Sequence, residues 1–386
     1  MTRMKSLGGL SRRSFVKTAL AGAALTGIAA SAAGCTNSGK SGAGAAGGSS
    51  AEIELKQETE QLVCALLGKD LKIACVIIAA QEGLYQEEGL EVSFETVANL
   101  SDAITAISED KLDVLPFGVI PTCTFVGQGV ENVMVFAGTI AEGSECITLP
   151  QNKDKFIKVE DFTNAKIAYF PMETGHLVMQ GLQEEAGSYN PDNWVIMSDQ
   201  QSIIQAVAKG ECDCGFLNSG QGYLAMQSGV VTSMHVGQLK PDFPCCRQTT
   251  SMTAFNEKKS ALLKFTIANL RAQEIFYNDK PRALAALAAF SGQPEEYCEA
   301  VLYGNSEYST PMIVEMDPYT DAVCAFYETM KATENIPSST TYKMEDHVDC
   351  SIYEAALYNL IDRNNEASDY FAGLEASFKE HNSSAS

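Results

Sequence analysis

The sequence predicts an α/β protein with two lobes, each a mostly parallel sheet flanked by helices. Past residue 50, apolar runs of strand length alternate with amphipathic stretches of helical length, an order typical of parallel sheets covered by helices. The alternation restarts at Lys166. Both passages contain the same phrase, a helix, an acidic turn and a strand that begins at an Asp, in Ala106–Val114 and Ala206–Cys214. Two similar lobes are the simplest explanation of this repeat.

The first passage is predicted to form five strands and two helices. Leu90–Val97 alternates apolar and polar residues, as a half-buried strand does. The compact apolar run at Val114–Val119 is typical of a buried strand. In chain order, we expect a strand at Glu60–Gly68, a helix at Lys72–Glu88, a strand at Leu90–Val97, a helix at Asp102–Ser108, and strands at Val114–Val119, Val133–Ala137 and Cys146–Leu149.

The second passage repeats this order and leads into a helical tail. From Glu257 onward the apolar residues recur at helical spacing, and such a tail usually packs back on the first lobe. We expect strands at Lys166–Phe170, Trp194–Ser198 and Cys214–Leu217, helices at His176–Ala186 and Ile203–Lys209, and tail helices at Lys258–Asn278, Lys280–Phe290 and Tyr319–Thr333.

The charge balance of the chain limits its partners. The 386 residues include 27 Lys and Arg against 49 Asp and Glu, which gives a formal net charge of −22. A surface this acidic repels nucleic acid and anionic lipid head groups. We therefore expect no nucleic-acid partner, and a globular body that stays in solution.

Residues 1–34 are predicted to be an export signal. Ser11–Lys17 holds the paired Arg12 and Arg13, then an aromatic residue and a lysine, and it resembles a twin-arginine signal. Thr18–Ala33 is moderately apolar and rich in Ala and Gly, and it is shorter than the roughly 20 strongly apolar residues of a spanning helix. We expect export by the twin-arginine pathway.

Cys35 is predicted to carry a lipid anchor. The small residues Ser31–Gly34 precede it, which resembles a bacterial lipobox. Thr36–Ser50 is dominated by Gly, Ser and Ala, a composition that forms a flexible coil. Residues 35–55 would then tether the body to the outer face of the cytoplasmic membrane, in a periplasm or at a cell surface. The alternative is an ordinary signal peptide with an incidental cysteine.

No catalytic residue, cofactor or metal site is predicted from the sequence. It contains no phosphate loop, dinucleotide fingerprint or GxSxG elbow, and none of its four His pairs with another at helical spacing. The pairs Cys212/Cys214 and Cys245/Cys246 are too tightly spaced for a usual structural zinc site. A redox role for Cys245 and Cys246 stays open, although two strand neighbours facing opposite sides are the favoured interpretation.

Several phrases resemble one known family. Ala79–Val92 reads AAQEGLYQEEGLEV and is similar to that family's motif A-x-E-x-G-[LY]-[FY]-x-x-E-G-L-x-V. Weaker similarities lie at Ala165–Ala168, Tyr277–Leu284 and Val348–Leu357. Over roughly Glu60–Leu374 the chain resembles the solute-binding proteins of bacterial ABC importers in the nitrate, sulfonate, taurine and thiamine-precursor group.

The resemblance implies a particular domain arrangement. The family has the type II periplasmic-binding-protein fold, in which two crossing segments act as a hinge and the lobes close on a ligand between them. The crossings would lie near Gly138–Glu145 and Phe243–Gln248. Lobe one would comprise residues 56–140 and 249–380, and lobe two residues 141–248.

The resemblance also implies a function. The chain would be a monomeric substrate-binding lipoprotein that captures a small solute and delivers it to a permease driven by a separate ATPase, without catalysis. The solute would be a sulfonate-, nitrate- or taurine-like anion or a pyrimidine precursor. The loop Gly68–Ile73 lacks the family's usual polar, often aromatic, ligand-touching residues, which leaves the solute class open. The alternatives are an enzyme of the same fold, such as a thiamine-pyrimidine synthase or a menaquinone-pathway enzyme, and a sensor domain.

Candidate ligand-binding residues lie where strands end. In open α/β sheets, ligands bind beyond the carboxyl ends of the strands, where helix N-termini offer free N–H groups to anions. The candidates are Asn99, Ser101, Phe117, Thr174, His176, Asn218 and Ser219.

Alternatives remain for several polar residues in these loops. Ser101, Thr174 and Ser202 precede or begin helical runs, so each could instead cap a helix. His176 could contact a ligand or be a solvated helix residue. Arg247, in the second crossing, could pair bidentately with an anionic ligand, although an ion pair with an acid at the hinge is slightly favoured.

Overall fold

The computed structural model of the protein describes residues 53–171 and 173–383. The predicted export signal with Arg12 and Arg13, the predicted lipid anchor Cys35 and most of the tether lie outside the described residues. Within these two ranges, no helix combines the length and the apolar character that a membrane crossing requires.

Ten strands are present in the described part of the chain, all within the compact unit Gly48–Ser386. They are β1 Glu60–Leu66, β2 Leu90–Thr96, β3 Met134–Ala141, β4 Ser144–Thr148, β5 Ile167–Tyr169, β6 Trp194–Ile196, β7 Cys214–Asn218, β8 Val231–His235, β9 Pro244–Thr250 and β10 Ile313–Val314.

The helices begin where the sequence supplies capping side chains or glycine turns. The Asn99 and Asp199 side chains each accept the backbone N–H three residues on, which satisfies a free donor of the first turn. In chain order the helices are α1 Ala74–Gln81, α2 Leu84–Glu87, α3 Leu100–Ser108, α4 Val119–Gly127, α5 Thr174–Glu185, α6 Gln200–Ala208, α7 Gln221–Ala225, α8 Met252–Glu257, α9 Lys259–Asn278, α10 Lys280–Ser291, α11 Glu295–Tyr303, α12 Thr320–Ala332, α13 Ser351–Asp362 and α14 Ser368–His381.

The first lobe is built on strands β1, β2, β3, β9 and β10. β1 and β2 are parallel, whereas β3 lies between β9 and β10 and is antiparallel to both. Val114 and Leu115 join the two groups, because Val114 bridges Cys64 in parallel and Leu115 bridges Thr249 antiparallel. Helix α1 packs against α9 and α10 with Ala74–Ala79 buried throughout, so its apolar character on all sides matches a core position.

The second lobe is a five-stranded sheet in the order β6-β5-β7-β4-β8. β6, β5 and β7 are parallel to one another, and β4 is antiparallel to both of its neighbours. Phe162, Phe216 and Trp194 pack together on one face, and Ile203 and Val207 of α6 cover the other.

The two-lobe α/β class is confirmed, but the sheets are mixed rather than mostly parallel. The reason is the way the chain enters the second lobe. Only Glu142 and Gly143 separate β3 from β4, so the chain runs from one sheet into the next without reversing. β4 therefore lies antiparallel to β7, whereas β5, β6 and β7 are connected by helices and are parallel.

The two crossings between the lobes meet each other at two residues with positive φ. Glu142 (φ 58°) lies in the first crossing and Asp242 (φ 57°) in the second. The Asp242 N–H donates to Glu142 Oε1 at 2.8 Å, and the Glu142 N–H donates to the Phe243 carbonyl at 3.2 Å. Left-handed backbone at a non-glycine residue costs of order 1 kcal/mol or more, so these contacts hold the strained turns in place.

The helical tail contacts both lobes. Helix α9 packs against α1, β1 and β2 of the first lobe, and α13 packs against α9. Helix α12 instead packs against α5 of the second lobe. Gly181 permits that approach, because a Cβ there would lie 2.5 Å from the Thr329 methyl group.

Candidate functional site

A cavity of about 350 Å³ lies between residues from three separate parts of the chain. One wall is the loop that follows β1, a second comes from strand and helix ends of the second lobe, and a third comes from the tail between α10 and β10. The lining residues are Leu67, Lys69, Asp70, Leu71, Lys72, Gln200, Asn218, Ser219, Gly220, Gln221, Ser291, Gln293, Tyr297, Val301 and Met312.

The loop after β1 brings a charged pair to the cavity. Asp70 Oδ1 accepts the Lys72 N–H at 2.9 Å, and Asp70 Oδ2 lies 3.1 Å from Lys72 Nζ. Burial by itself lowers the pKa of Lys72, but the Asp70 carboxylate outweighs it, and the pKa of Lys72 is raised. Lys69 Nζ donates to the Phe290 carbonyl at 2.8 Å, which ties the loop to α10. The cavity thus contains two ammonium groups and one carboxylate.

The second lobe contributes neutral hydrogen-bonding groups. Gln200, the first residue of α6, accepts the Asn218 N–H on its Oε1 at 2.9 Å. Its Nε2 is buried and has no hydrogen-bond partner among the described residues. Gly220 has φ +78°, and a Cβ there would lie 2.7 Å from Val301 Cγ1. The glycine therefore lets this loop approach α11 and narrows the cavity.

The tail wall is largely aromatic and aliphatic. Tyr297 of α11 packs near the Tyr223 ring at 6.1 Å between centroids, and Tyr223 packs on Tyr308 at 5.6 Å. Val301 and Met312 complete this wall. The site thus combines apolar surface on one side with cationic and amide donors on the other.

Glu145 lies behind this wall, at the start of the second lobe. Its carboxylate accepts hydrogen bonds from the Gly222 N–H at 2.8 Å, the Tyr308 hydroxyl at 2.9 Å and the Thr232 hydroxyl at 2.9 Å. Burial, opposed by these donors, raises the pKa of Glu145 to about 7. Because Tyr308 belongs to the tail, the carboxyl connects the tail to strand β4.

The family follows from the sequence itself. A family model described as NMT1/THI5 like matches residues 70–289, more than half of the chain. The chain belongs to this family. The match confirms the expected relationship, and it begins within the loop after β1, at Asp70, and includes the whole second lobe and both crossings. The sequence matched no curated protein.

Several solved structures show the same fold. The periplasmic nitrate-binding protein NrtA from Synechocystis PCC 6803 superposes with a TM-score of 0.63 at 14% identity, covering 82% of this chain and 92% of that one. The alkanesulfonate-binding protein SsuA from Xanthomonas axonopodis pv. citri, bound to MOPS, gives 0.58 at 14% identity, covering 76% and 99%. SsuA from Escherichia coli gives 0.57 at 14% identity, covering 74% and 91%. At this identity the similarity establishes the fold.

Two of the seven predicted ligand residues line the cavity of this family member. Asn218 and Ser219 both do so, and the Ser219 hydroxyl donates to the Gly143 carbonyl in the first crossing. Asn99 and Ser101 are exposed at the N-terminus of α3. Phe117 is a buried core residue. The structure therefore brings together the two second-lobe loop residues, and a ligand role for the others stays a prediction.

Thr174 and His176 lie in the first turn of α5 and are buried. His176 packs against Tyr169 and Trp194, with 4.6 Å between the His176 and Tyr169 ring centroids, and only 1% of it is exposed. The interpretation of His176 as a solvated helix residue is therefore wrong. Its ring nitrogens have no hydrogen-bond partner among the described residues, although Nδ1 lies 3.5 Å from Glu173 Oε2.

The capping alternatives are also corrected by the structure. The residues that cap α3, α5 and α6 are Asn99, Glu173 and Asp199. They precede Ser101, Thr174 and Ser202, respectively, in the chain. The Glu173 carboxylate accepts the Gly175 and His176 N–H groups at 2.7 Å and the Ser144 hydroxyl. An acidic cap suits the positive end of a helix.

Arg247 lies in the second crossing, fully buried. Its Nη1 donates to the carbonyls of Ile140 at 2.9 Å and Cys246 at 2.8 Å, and its guanidinium lies 4.6 Å from the Tyr319 ring centroid. No carboxylate in the described ranges lies within salt-bridge distance of it, so the favoured ion pair at the hinge is not formed there. Arg247 instead ties the two strands of the crossing together.

Lys72, Gln200 and Tyr297 line the cavity, although the sequence does not predict a ligand role for them. Lys69 and Asp70 lie in a loop that directly follows β1, where the strand-end rule applies, but this loop departs from the family pattern. No local sequence pattern predicts a ligand role for Tyr297, because long-range packing of α11 against the second lobe brings it to the cavity.

Proposed function

We propose that the protein is the solute-binding component of an ABC importer. The supporting observation is a cavity of about 350 Å³ whose walls come from both lobes and from the tail. Its size fits the lower end of small-molecule sites. Solved structures of the same fold are named as nitrate-binding and alkanesulfonate-binding proteins. The bound solute would pass to a permease driven by a separate ATPase, and the protein would perform no reaction.

The proposed solute is a small anion with oxygen acceptors, of the sulfonate, taurine or nitrate type. Lys69 and Lys72 against Asp70 leave a net positive charge at one wall. The unpartnered Nε2 donor of Gln200 is positioned for an acceptor atom. An acceptor-rich head group would satisfy the buried Gln200 donor, which is costly to leave unpaired, and would lie beside the two ammonium groups. Met312, among other apolar lining residues, would contact a short hydrocarbon part, which favours an organic sulfonate over bare nitrate.

The proposed mechanism is hinge closure. A solute that touches Lys72 on one lobe and Asn218 on the other would stabilise the closed arrangement relative to an open one. The crossings at Glu142 and Asp242 are the short segments where backbone angles would change.

Thermal denaturation with a panel of solutes tests the proposal. A ligand at 100 times its Kd stabilises the folded state by about 2.7 kcal/mol. Taurine, ethanesulfonate, nitrate and a pyrimidine precursor of thiamine would be compared in a buffer free of sulfonates. We expect the sulfonates to raise Tm. Absence of stabilisation by every anion would contradict the anion assignment, and conversion of any solute to product would show the alternative, an enzyme.

A matched pair of lysine variants localises the effect. Lys72→Met should weaken sulfonate binding at least about tenfold, the equivalent of roughly 1.4 kcal/mol. Lys209→Met, at the exposed end of α6, removes the same charge away from the cavity and should leave the affinity unchanged. Equal losses in both variants would mean that only the overall charge matters.

We also propose twin-arginine export and lipid anchoring at Cys35. The supports are the pair Arg12-Arg13 and the small residues before Cys35. In cells, Cys35→Ser should abolish incorporation of labelled fatty acid and release the exported protein, whereas Arg12→Lys with Arg13→Lys should retain it inside. Labelling of Cys35→Ser equal to that of the unaltered protein would reject the anchor.

A further inference from the structure

Residues 315–320 lie against the first crossing between the lobes. The Gly138 N–H in β3 donates to the Met316 carbonyl at 2.7 Å. A Cβ at Gly138 would lie 2.3 Å from the Asp317 carbonyl oxygen, so a larger residue there would push the segment away. We call residues 315–320 the strap.

The strap also reaches the second crossing and leads from one lobe to the other. The Tyr319 ring centroid lies 4.6 Å from the guanidinium carbon of Arg247. Before the strap, β10 pairs with β3 in the first lobe, and after it, α12 packs against α5 of the second lobe. Because Gly181 and Thr329 seat α12 closely on α5, a change in the angle between the lobes would have to bend the strap.

Two residues at the end of α14 hold the strap in place. Asn382 Nδ2 donates to Asp317 Oδ1 at 2.8 Å, and Asn382 Oδ1 accepts the Thr320 N–H at 3.0 Å. His381 Nδ1 lies 3.0 Å from Asp317 Oδ2. Asp317 and Asn382 are each 1% exposed, so water does not readily replace these contacts. We call His381 and Asn382 the latch.

His381 is the part of the latch whose charge changes near neutral pH. Burial by itself lowers its pKa, but the hydrogen bond to Asp317 and the negative charges nearby outweigh burial, and the pKa of His381 is raised. Asn382, by contrast, carries no charge at any pH. The titratable and charged groups around the His381 ring are Asp317 and Glu315 of the strap, Asp242 of the second crossing, Tyr319 with 3.9 Å between ring centroids, and Arg247, which contacts the same tyrosine ring.

We propose that His381 and Asn382 form a pH-sensitive latch, which restrains the movement of the two lobes by holding the strap against both crossings. Protonated His381 makes a charge-assisted hydrogen bond to Asp317, about twice as strong as the bond that neutral His381 can donate. The latch is therefore tight at low pH and loosens as the pH rises through the pKa of His381. Asn382 holds the strap at any pH. This inference rests on the proposed hinge closure.

Ionisation of the neighbouring acid Glu315 falls in the same pH range. Glu315 Oε1 accepts the Asp317 N–H at 3.1 Å, and burial together with Asp317 raises the pKa of Glu315 to about 7. Loss of the Glu315 proton therefore adds a negative charge to the strap while His381 loses its positive charge. Variants are needed to assign the pH dependence of the strap to one group or the other.

Hydrogen exchange of the full protein without solute, followed by NMR, tests the latch. The Gly138 N–H donates to the strap and the Thr320 N–H donates to the latch, so their protection reports the engaged state. Protection factors, corrected for the intrinsic exchange rate, should fall about fivefold from about pH 5.5 to about pH 8.5, because the neutral hydrogen bond is the weaker one. Constant protection across this range would overturn the proposal.

Variants at His381 separate its contribution from that of Glu315. His381→Gln keeps a donor without a charge and should lose most of the pH dependence, whereas His381→Lys keeps the charge and should stay protected at both pH values. Asn382→Ala should lower the protection equally at both pH values. His235→Gln, the same substitution in β8 of the second lobe, should behave like the unaltered protein. Undiminished pH dependence in His381→Gln would overturn the proposal.

A titration of the unaltered protein does not depend on the folding of any variant. The imidazole NMR signal of His381 should titrate with a midpoint above its ordinary value of 6.5. The amide signals of Gly138 and Thr320 should shift with the same midpoint. A His381 midpoint below 6.5, or strap amide signals that do not follow it, would contradict the latch.

Solute binding distinguishes a failure of the latch from a failure of the proposed function. If sulfonates do not raise Tm while the strap still responds to pH through His381, the solute assignment is wrong and the latch is supported. If sulfonates raise Tm while the protection of Gly138 and Thr320 is independent of pH, solute capture is supported and the latch is wrong.

Discussion

Carboxyl groups of the first lobe and those beside the crossings are held in opposite ways. In the first lobe, Glu88 receives two hydrogen bonds from Arg363 at 2.7 and 2.8 Å and one from Arg271 at 2.6 Å. Burial by itself raises the pKa of Glu88, but the two guanidinium groups outweigh it, and the pKa is lowered. Glu60 is held similarly by Ser260 and by Lys264 at 3.1 Å.

Near the crossings, carboxyl groups have neutral partners instead. Glu145 accepts only hydroxyl and amide donors, and burial raises its pKa to about 7. Burial and the neighbouring Asp317 also raise the pKa of Glu315 to about 7. Ion pairs therefore connect the helices and strands of the first lobe, whereas near the crossings the pKa values of Glu145 and Glu315 lie at about 7, so both acids are partly protonated at neutral pH. Contacts there should therefore respond to pH.

The largest expected effect comes from deleting the Glu145 side chain. Glu145→Ala leaves the Gly222 N–H and the Tyr308 and Thr232 hydroxyls without their acceptor in a buried site. We expect a loss of about 3 kcal/mol in the free energy of unfolding, since unsatisfied buried groups cost about 1–3 kcal/mol each. Urea denaturation measures it. Glu145→Gln is the control, because it keeps an acceptor oxygen and should cost less than half as much.

The pH dependence of stability is the next effect. The folded pKa of Glu145 lies above its ordinary value of 4.5, so between about pH 4.5 and 7 the folded state binds more protons than the unfolded state. Stability from this group is therefore present at low pH and is lost as pH rises through 7, by about 2–3 kcal/mol. Urea denaturation from pH 5 to 8 should show this decline in the unaltered protein and a flatter profile in Glu145→Gln. Identical pH profiles of stability in the two proteins would contradict the raised pKa of Glu145.

The smallest effect is expected in the first lobe. Glu88→Gln removes a carboxylate whose pKa is lowered, so its contribution is present above about pH 4.5 and is lost as pH falls through the folded pKa. At pH 7 we expect a loss of about 1 kcal/mol. The exposed pair Glu375–Lys379 on α14 is the matched control, and Glu375→Gln should give no measurable change. A larger loss at pH 4 than at pH 7 would contradict the assigned sign.

The sequence predicted most of the secondary structure because strand and helix periodicities differ. It failed at Val114–Val119, where only Val114 and Leu115 pair as strand and α4 begins at Val119. Helix α4 is apolar on nearly every side, so a short stretch of it has the same appearance as a buried strand. The sequence pattern also could not predict the direction of the strands. β4 is antiparallel to its neighbours only because the chain passes directly into it from β3.

The candidate site was predicted only where it depends on local rules. Asn218 ends β7 and Ser219 follows it, so the strand-end rule selects both. Tyr297 reaches the cavity through the packing of α11, and Cys245 is an extra residue in the pairing of β9 with β3. Neither long-range packing nor register leaves a mark in the local sequence.

The chain contains a single tryptophan, and its position gives one lobe a built-in optical reporter. Trp194 is stacked on Phe216 with 5.7 Å between ring centroids, its Nε1 donates to Gln183 Oε1 at 3.2 Å, and it lies beside His176. Intrinsic emission excited at the red edge of absorption therefore originates in the second lobe alone, while circular dichroism samples both lobes. If the two signals change together during denaturation, the lobes unfold as one cooperative unit, and if emission changes first, the second lobe unfolds independently.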